Sequence, residues 1–353
     1  MRKCASVIIV IAVSLLVLYL AQCLVVPKYM SGVLEGGMTR EYYEEELPHD
    51  VIFIGDCEVY ENISPITLWE EYGMASYIRG SAQQLIWQSY YLLKETFRYE
   101  SPKAVVFNVL SMKYDEPQSE AYNRMTFDGM KPSYLKYEAV KASAMEDEDI
   151  LSYFFPILRY HSRMAELTDE DIRYMFRRDR ITHAGYLMRI DVKPMTKLPM
   201  APSLPDYSFG EVCFDYLEKM RELCQENGAE LILIKSPSLY PHWYPEWDEQ
   251  VREYAEEKGL IYINYADKLD EAGIDMSTDT YDGGLHLNLS GAEKFAKQIG
   301  AMLIDNCDIP DRRGEPAYDR CWKEKSDFYY DMIERQKKEL EEFGYLKSWT
   351  LGK

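Results

Sequence analysis

An α/β fold, a three-layer αβα sandwich around a five-stranded parallel sheet, is predicted for this sequence by three observations. Short apolar runs alternate with stretches of helical periodicity, and such alternation fits a parallel sheet covered on both faces. Turn or cap signals bracket each run, which marks it as a buried strand. The chain of 353 residues is long enough to bury a core of that size.

"DVIFIG" (50–55) is the first strand. Ser64-Pro65 then reads as an N-cap with proline at the first helical position, and "ITLWEEYG" closes on Gly73. "ASYIRG" (75–80) is the second strand, and "AQQLIWQSYYLLKETFRY" (82–99) a helix. "KAVVFNVL" (103–110) is the third strand, after Ser101-Pro102. The alternation then stops. Residues 111–206 carry no strand signal, only helix-like segments such as "SYLKYEAVKASAM", "EDEDILSYFFPILRYHSRMAEL" and "TDEDIRYMFRR", then the Pro-rich "VKPMTKLPMAPSLPDY". This stretch is expected to be an insertion forming a helical cap over the strand ends. The pattern resumes with the helix "FGEVCFDYLEKMRELCQENG", ending at Asn227-Gly228. "AELILIKSPS" (229–238) and "LIYINY" (260–265) are strands four and five, separated by the helix "PEWDEQVREYAEEKG". "LSGAEKFAKQIGAMLIDN" (289–306) is the last helix of a domain spanning 49–310. The tail, 311–353, holds a charged amphipathic helix expected to pack on that domain.

The first 26 residues set the compartment. "CASVIIVIAVSLLVLYLAQCLVV" (4–26) contains no charge and is long enough to span a bilayer, which takes about 20 apolar residues. It exceeds a signal-peptide core, "AQC" is a poor cleavage site, and Gln22 spoils a lipobox at Cys23. An uncleaved transmembrane anchor is therefore expected. Arg2 and Lys3 precede it, so the positive-inside rule puts the N-terminus in the cytoplasm and the main domain outside the cell. Residues 27–48 read as a juxtamembrane stalk with a short acidic helix, "REYYEEEL".

Charge and cysteine content narrow the function. With 60 acids against 40 bases the net charge is -20, which argues against a nucleic-acid partner and favours a neutral glycan over an anionic wall polymer. The seven cysteines show no metal spacing. Cys213 and Cys224 lie too far apart along one helix to bond. Cys307 and Cys321, flanking a loop, are the one pair considered for a disulfide. No GxxxxGK[ST] and no GxGxxG after a strand is present, so no cofactor is expected.

In open parallel sheets, sites form at the carboxyl ends of the strands. Those ends carry Cys57, Gly80-Ser81 and the segment Asn108 to Met112. A Gly-rich loop before the last helix, "DTYDGGLHLNLSGAEKF" (279–295), supplies His286, one of only five histidines and well placed to reach a nucleophile after the first strand.

This ordered set resembles the SGNH (GDSL-type) hydrolase superfamily, a flavodoxin-like fold. Gly55-Asp56-Cys57 stands where that family has Gly-Asp-Ser, and Gly80 matches its second-block glycine. Asp282 to His286, followed by Leu287-Asn288 and Ser290-Gly291-Ala292, resembles its last block, Asp-x-x-His. The likeness runs from about residue 50 to 306, interrupted by the insertion. With the anchor, it is most similar to the membrane-bound extracellular branch that includes teichoic-acid D-alanylation and alginate O-acetylation proteins. The resemblance implies acyl transfer or ester hydrolysis on a cell-surface glycan. Cys57 would attack, His286 act as base and Asp282 orient it, with the N–H groups of Cys57 and Gly80 holding the oxyanion. It leaves open whether a membrane acyltransferase partner supplies the acyl group.

Three departures stand against that pattern. Cysteine replaces serine, and Asp56 and Glu58 flank it, which disfavours a thiolate unless their side chains turn away. The acid lies four residues before His286, with Gly283 in the usual acid position; the Gly-Gly pair could absorb the extra residue, or Asp279 could serve. The third-block Gly-x-Asn-Asp is absent, so Asn108 is carried over only by position. Ordinary readings remain for each residue. Cys57 is a buried inert thiol, His286 a loop side chain capping the final helix, Asp282 a turn former and Gly80 a strand end. Asn288 and Ser290 read as helix caps, and His161, His183 and His242 as packing or surface residues. The second functional reading is accordingly a catalytically inactive SGNH-like scaffold that binds a glycan or a cell-envelope assembly partner.

Overall fold

The computed structural model describes residues 2–27, 37–176 and 178–349. The strands are β1 (Val51–Gly55), β2 (Ser76–Gly80), β3 (Ala104–Asn108), β4 (Glu230–Lys235) and β5 (Ile261–Asn264). The helices run α1 (Arg2–Val25), α2 (Met38–Glu41), α3 (Cys57–Tyr60), α4 (Pro65–Tyr72), α5 (Ile86–Thr96), α6 (Glu120–Phe127) and α7 (Tyr134–Ser143). They continue with α8 (Ile157–Tyr160), α9 (Asp169–Phe176), α10 (Glu211–Glu226), α11 (Pro245–Lys258), α12 (Leu269–Ala272), α13 (Leu289–Asn306) and α14 (Pro316–Phe343).

The five strands form one parallel sheet in the order β2-β1-β3-β4-β5. Side chains alternate between two cores, as a pleated strand requires. Val105, Phe107, Leu231 and Leu233 pack with residues of α5, α10 and α11, and Val106, Ile232 and Ile234 with residues of α4, α13 and α14. Every residue of β1, β2 and β3 is buried, which explains their apolar character, and the one charge among them, Arg79 of β2, is paired with Glu95 at 2.9 Å. The α4 boundaries are those that the cap chemistry dictates. Ser64 Oγ accepts from Thr67 N–H, Pro65 opens the helix, and Gly73 closes it in the left-handed region at φ 66°.

The insertion differs from the expected cap. Its long helix-like segment over 146–167 breaks into short turns around Pro156, which cannot continue a helix. α7 packs on α5, α6 on α7 and α2, and α8 and α9 on α1. These helices thus cover one sheet face and gather at the root of α1. The later, extended part of the insertion does reach the strand ends. Ala184 O accepts from Ile78 N–H on the free edge of β2 at 3.0 Å, and Leu187 N–H donates to Tyr60 O at 2.8 Å.

The described part of the expected stalk, 37–48, is built into the domain. Glu41 accepts hydrogen bonds from the N–H groups of Ile181 and Thr182. Tyr42 bonds Glu100 and lies under the Arg79 guanidinium, which is 3.9 Å from its ring centroid. Residues 28–36 of the expected stalk lie outside the described residues. The tail helix α14 straps the opposite side. Trp322 stacks on Trp69 with ring centroids 5.0 Å apart, and Tyr329 Oη bonds Ser64 and Glu293. All seven cysteines are free, so the Cys307–Cys321 disulfide is not formed. Their surroundings differ: Cys307 lies near Glu230 at the start of β4, whereas Cys321 lies near Lys325 and Glu45.

α1 is, among the described residues, the one helix long and apolar enough to cross a membrane. The qualifying stretch, Cys4–Val25, has a mean hydropathy of 2.8; residues 4–20 are exposed, and only its last turn packs on the domain, where Val25 is buried.

Candidate functional site

β1 ends in a bend that only glycine fits. Gly55 sits at φ 154°, and a Cβ there would come within 2.7 Å of Val59 Cγ2. Asp56 then caps α3, its Oδ1 accepting from Glu58 N–H at 3.1 Å. Cys57 is the first residue of α3, half-buried and packed against the core. Gly80 pairs with Gly55 in the sheet register. A Cβ on Gly80 would approach Gly55 O and the Tyr60 ring to 3.2 Å, so its bareness lets β2 lie close beneath the Cys57 turn.

The last Gly-rich loop delivers His286. Gly283 and Gly284 take positive φ values of 87° and 99°, and these turns absorb the extra residue between Asp282 and His286. Asp282 Oδ1 accepts from His286 N–H at 2.9 Å, and Oδ2 lies 2.7 Å from His286 Nδ1. Asp279 is occupied elsewhere, paired with Lys294 Nζ at 2.6 Å and capping Asp275 N–H. Asp282, not Asp279, is therefore the acid at the imidazole. With Nδ1 tied to a carboxylate, Nε2 is the nitrogen left for chemistry. It is buried without an ordinary hydrogen-bond partner, and the Cys57 thiol couples to this ring.

The acids flanking Cys57 are engaged in a buried network. Glu58 receives both carboxylate contacts from Lys235 Nζ at 2.9 Å, and both side chains are 0% exposed. Asn108 spends its two amide hydrogens on Asp56 Oδ1 and Glu58 Oε2, each at 3.1 Å, and accepts from Ser236 N–H at 3.0 Å. Both of Asn108's donors are thus committed beneath the thiol, where they brace the bend after β1. Asn62 ties the three loops together: its amide nitrogen reaches Ser236 and Ser238, and its oxygen accepts from Leu287 N–H at 2.8 Å. Ser236 Oγ in turn donates to Glu58 O.

The electrostatics run in one direction. Burial pushes the Cys57 thiol up to about 11, reinforced by Asp56 and Glu61 and opposed by His286. Burial disfavours a charged His286, but Glu61 and Asp282 outweigh it and hold the imidazole well above its ordinary value. Glu61 Oε2 is 3.6 Å from His286 Nδ1. Burial and the neighbouring Glu58 charge raise Asp56 to about 6. Both shifts run toward the protonated form of each group.

Sequence reasoning singled out Cys57, Asp282, His286, Gly80 and Asn108, and all five border the carboxyl ends of β1, β2 and β3. It missed Glu58 as a buried ion-pair partner, and it missed Glu61, Asn62, Lys235 and Ser236. One signal was available: a lysine closing the apolar run "AELILIK" sits at the carboxyl end of a buried strand, where a charge needs a partner. Among the described residues, no group of three or more His, Cys, Asp or Glu side chains is placed to hold a metal ion. No protein-family model matches the chain, and no curated protein sequence matches it significantly.

Proposed function

We propose that this is an SGNH-like acyl hydrolase or O-acyltransferase, anchored by α1 with its domain outside the cytoplasm, acting on acyl groups of a cell-surface glycan. The observation that carries the reading is the Asp282 clamp on His286 Nδ1, which leaves Nε2 uncommitted on a ring that interacts with the Cys57 thiol. In the reaction His286 in its neutral form takes the thiol proton, and the sulfur attacks the acyl carbonyl. The tetrahedral oxyanion meets the N–H groups of Cys57 and Gly80, and collapse expels the donor's alkoxide, which takes the proton from His286. Water or a glycan hydroxyl then attacks the thioester, His286 receives that proton, and the thiol is regenerated. Arg2 and Lys3 before the anchor support the orientation.

A second reading, the inactive scaffold, is favoured by one observation: the thiol stands at about 11, where little thiolate exists at neutral pH. Incubating the full chain in detergent with p-nitrophenyl acetate separates the two. An acetyl group on Cys57, absent in His286→Ala and turned over by water, supports the enzyme. A folded protein whose Cys57 stays unacetylated through pH 10 supports the scaffold.

A further inference from the structure

We propose that the cavity where α1 meets the domain binds the phosphate headgroup of an anionic membrane lipid. The cavity measures about 520 Å³. One wall is the end of the membrane helix and the residue after it, with Tyr19, Gln22, Cys23 and Val26. The end of a bilayer-spanning helix lies at headgroup depth, where tyrosine is enriched.

The opposite walls reverse the charge of the molecule locally. Arg40, Lys131, Lys136 and Arg178 line the cavity, against the acids Glu44 and Asp128. Asp128 is already engaged by Arg124 and Tyr160. Among the described residues, no carboxylate forms an ion pair with any of the four cations. Lys136 is buried, and the one described hydrogen bond of its ammonium goes to Met130 O at 3.1 Å. An ammonium has three hydrogens, so capacity remains for a ligand oxygen. Burial lowers Lys136 to about 8, and burial with the Arg40 charge lowers Arg178. An anion between these groups would relieve both the desolvation and the like-charge crowding.

The surroundings favour a lipid over a soluble phosphate. Segments of the insertion packed at the root of α1 expose Leu151, Phe155, Leu158, Met164, Ile172 and Phe176. Arg163 fixes this region to the helix end by donating to Val25 O at 2.7 Å. A bilayer around α1 meets these side chains, so acyl chains find apolar contact just beyond the cationic cavity.

The test is native mass spectrometry of the full chain in neutral detergent, titrated with phosphatidylglycerol. The expected result is one tightly held phosphatidylglycerol, bound in preference to phosphatidylcholine. Its affinity should fall about thirtyfold in Arg40→Gln/Lys131→Gln, where both side chains are exposed and the fold is not at risk, and stay unchanged in Lys323→Gln on α14. Arg178→Gln alone should lose about fivefold. Equal affinity in the double variant and Lys323→Gln overturns the proposal, as does equal binding of the two lipids. Displacement of the lipid by inorganic phosphate at low millimolar concentration also overturns it, since that reassigns the cavity to a soluble anion.

Discussion

The protonation state of Cys57 gives the sharpest test, because its consequence is a slope rather than a level. The thiol is raised to about 11. An ordinary cysteine near 8.5 is about 3% thiolate at pH 7, whereas a group at 11 is about 0.01%, a ratio of about 300. Only the thiolate reacts with iodoacetamide. Since the shift is upward, the proton is held at neutral pH and nucleophile appears only as pH rises. Alkylation of Cys57 should therefore be about 300-fold slower than that of an exposed thiol at pH 7, and should grow about tenfold per pH unit from 7 to 10. His286→Ala should slow it further at each pH, because the imidazolium is the group that opposes the shift. The assay is timed alkylation of the full chain, read by mass spectrometry on the peptide containing Cys57. Steric access scales every rate equally and leaves the slope intact. A rate independent of pH between 6 and 8 would refute the reasoning, for it would mean that the imidazolium outweighs burial and a thiolate already exists.

Three further outcomes follow from the same geometry. Lys235→Met should cost about 3–5 kcal/mol in chemical denaturation, since it strands a buried Glu58 carboxylate; Glu58→Gln/Lys235→Met should recover much of that loss, and no recovery would count against the ion pair. Glu45, held at about 2 because contacts with His49 and Lys325 outweigh its burial, contributes about 3 kcal/mol that is fully present above its ordinary value near 4.5. That stability should drain away as pH falls from 4.5 toward 2, and a melting series should show Glu45→Gln with a flatter acid limb. Gly55→Ala should destabilise by about 1–3 kcal/mol, given φ 154° and the 2.7 Å approach to Val59, and an unchanged melting temperature would contradict the bend described.

The strands were legible because four of the five are buried over nearly their whole length and each is bounded by local turn chemistry; every predicted run overlaps an observed strand within a few residues at either end. Helical periodicity over 146–167 carries no penalty for Pro156, which breaks the segment into short turns. The insertion's destination was not legible at all, because nothing local says that α8 and α9 pack on α1. The site divides in the same way. Cys57, Asp282 and His286 carry a spacing that can be read along the chain. Glu58 and Lys235 are 177 residues apart, and a charge read by itself defaults to solvent. Only the pairing of β1 with β3, and β3 with β4, brings them together. Asn62 likewise becomes informative only when its three partner loops converge.

The acid that governs His286 is not one of those flanking the thiol. Asp56 and Glu58 are spent on Asn108 and Lys235, while Glu61, one turn further along the chain, faces the imidazole at 3.6 Å. Two carboxylates around one ring favour the imidazolium strongly, yet a base must be neutral to accept the thiol proton. Glu61 raises both His286 and Cys57, so its removal shifts the two groups in the same direction, downward. Glu61→Gln should therefore move the rising limb of Cys57 alkylation, and of any acylation by an activated ester, to lower pH. Asp282→Asn acts differently, since it also unties Nδ1 and lets the ring turn. Limb position in Glu61→Gln is the measurement, followed by His286 Cε1–H chemical shift against pH. A limb that stays in place, or moves to higher pH, would show that Glu61 does not set the protonation of this pair.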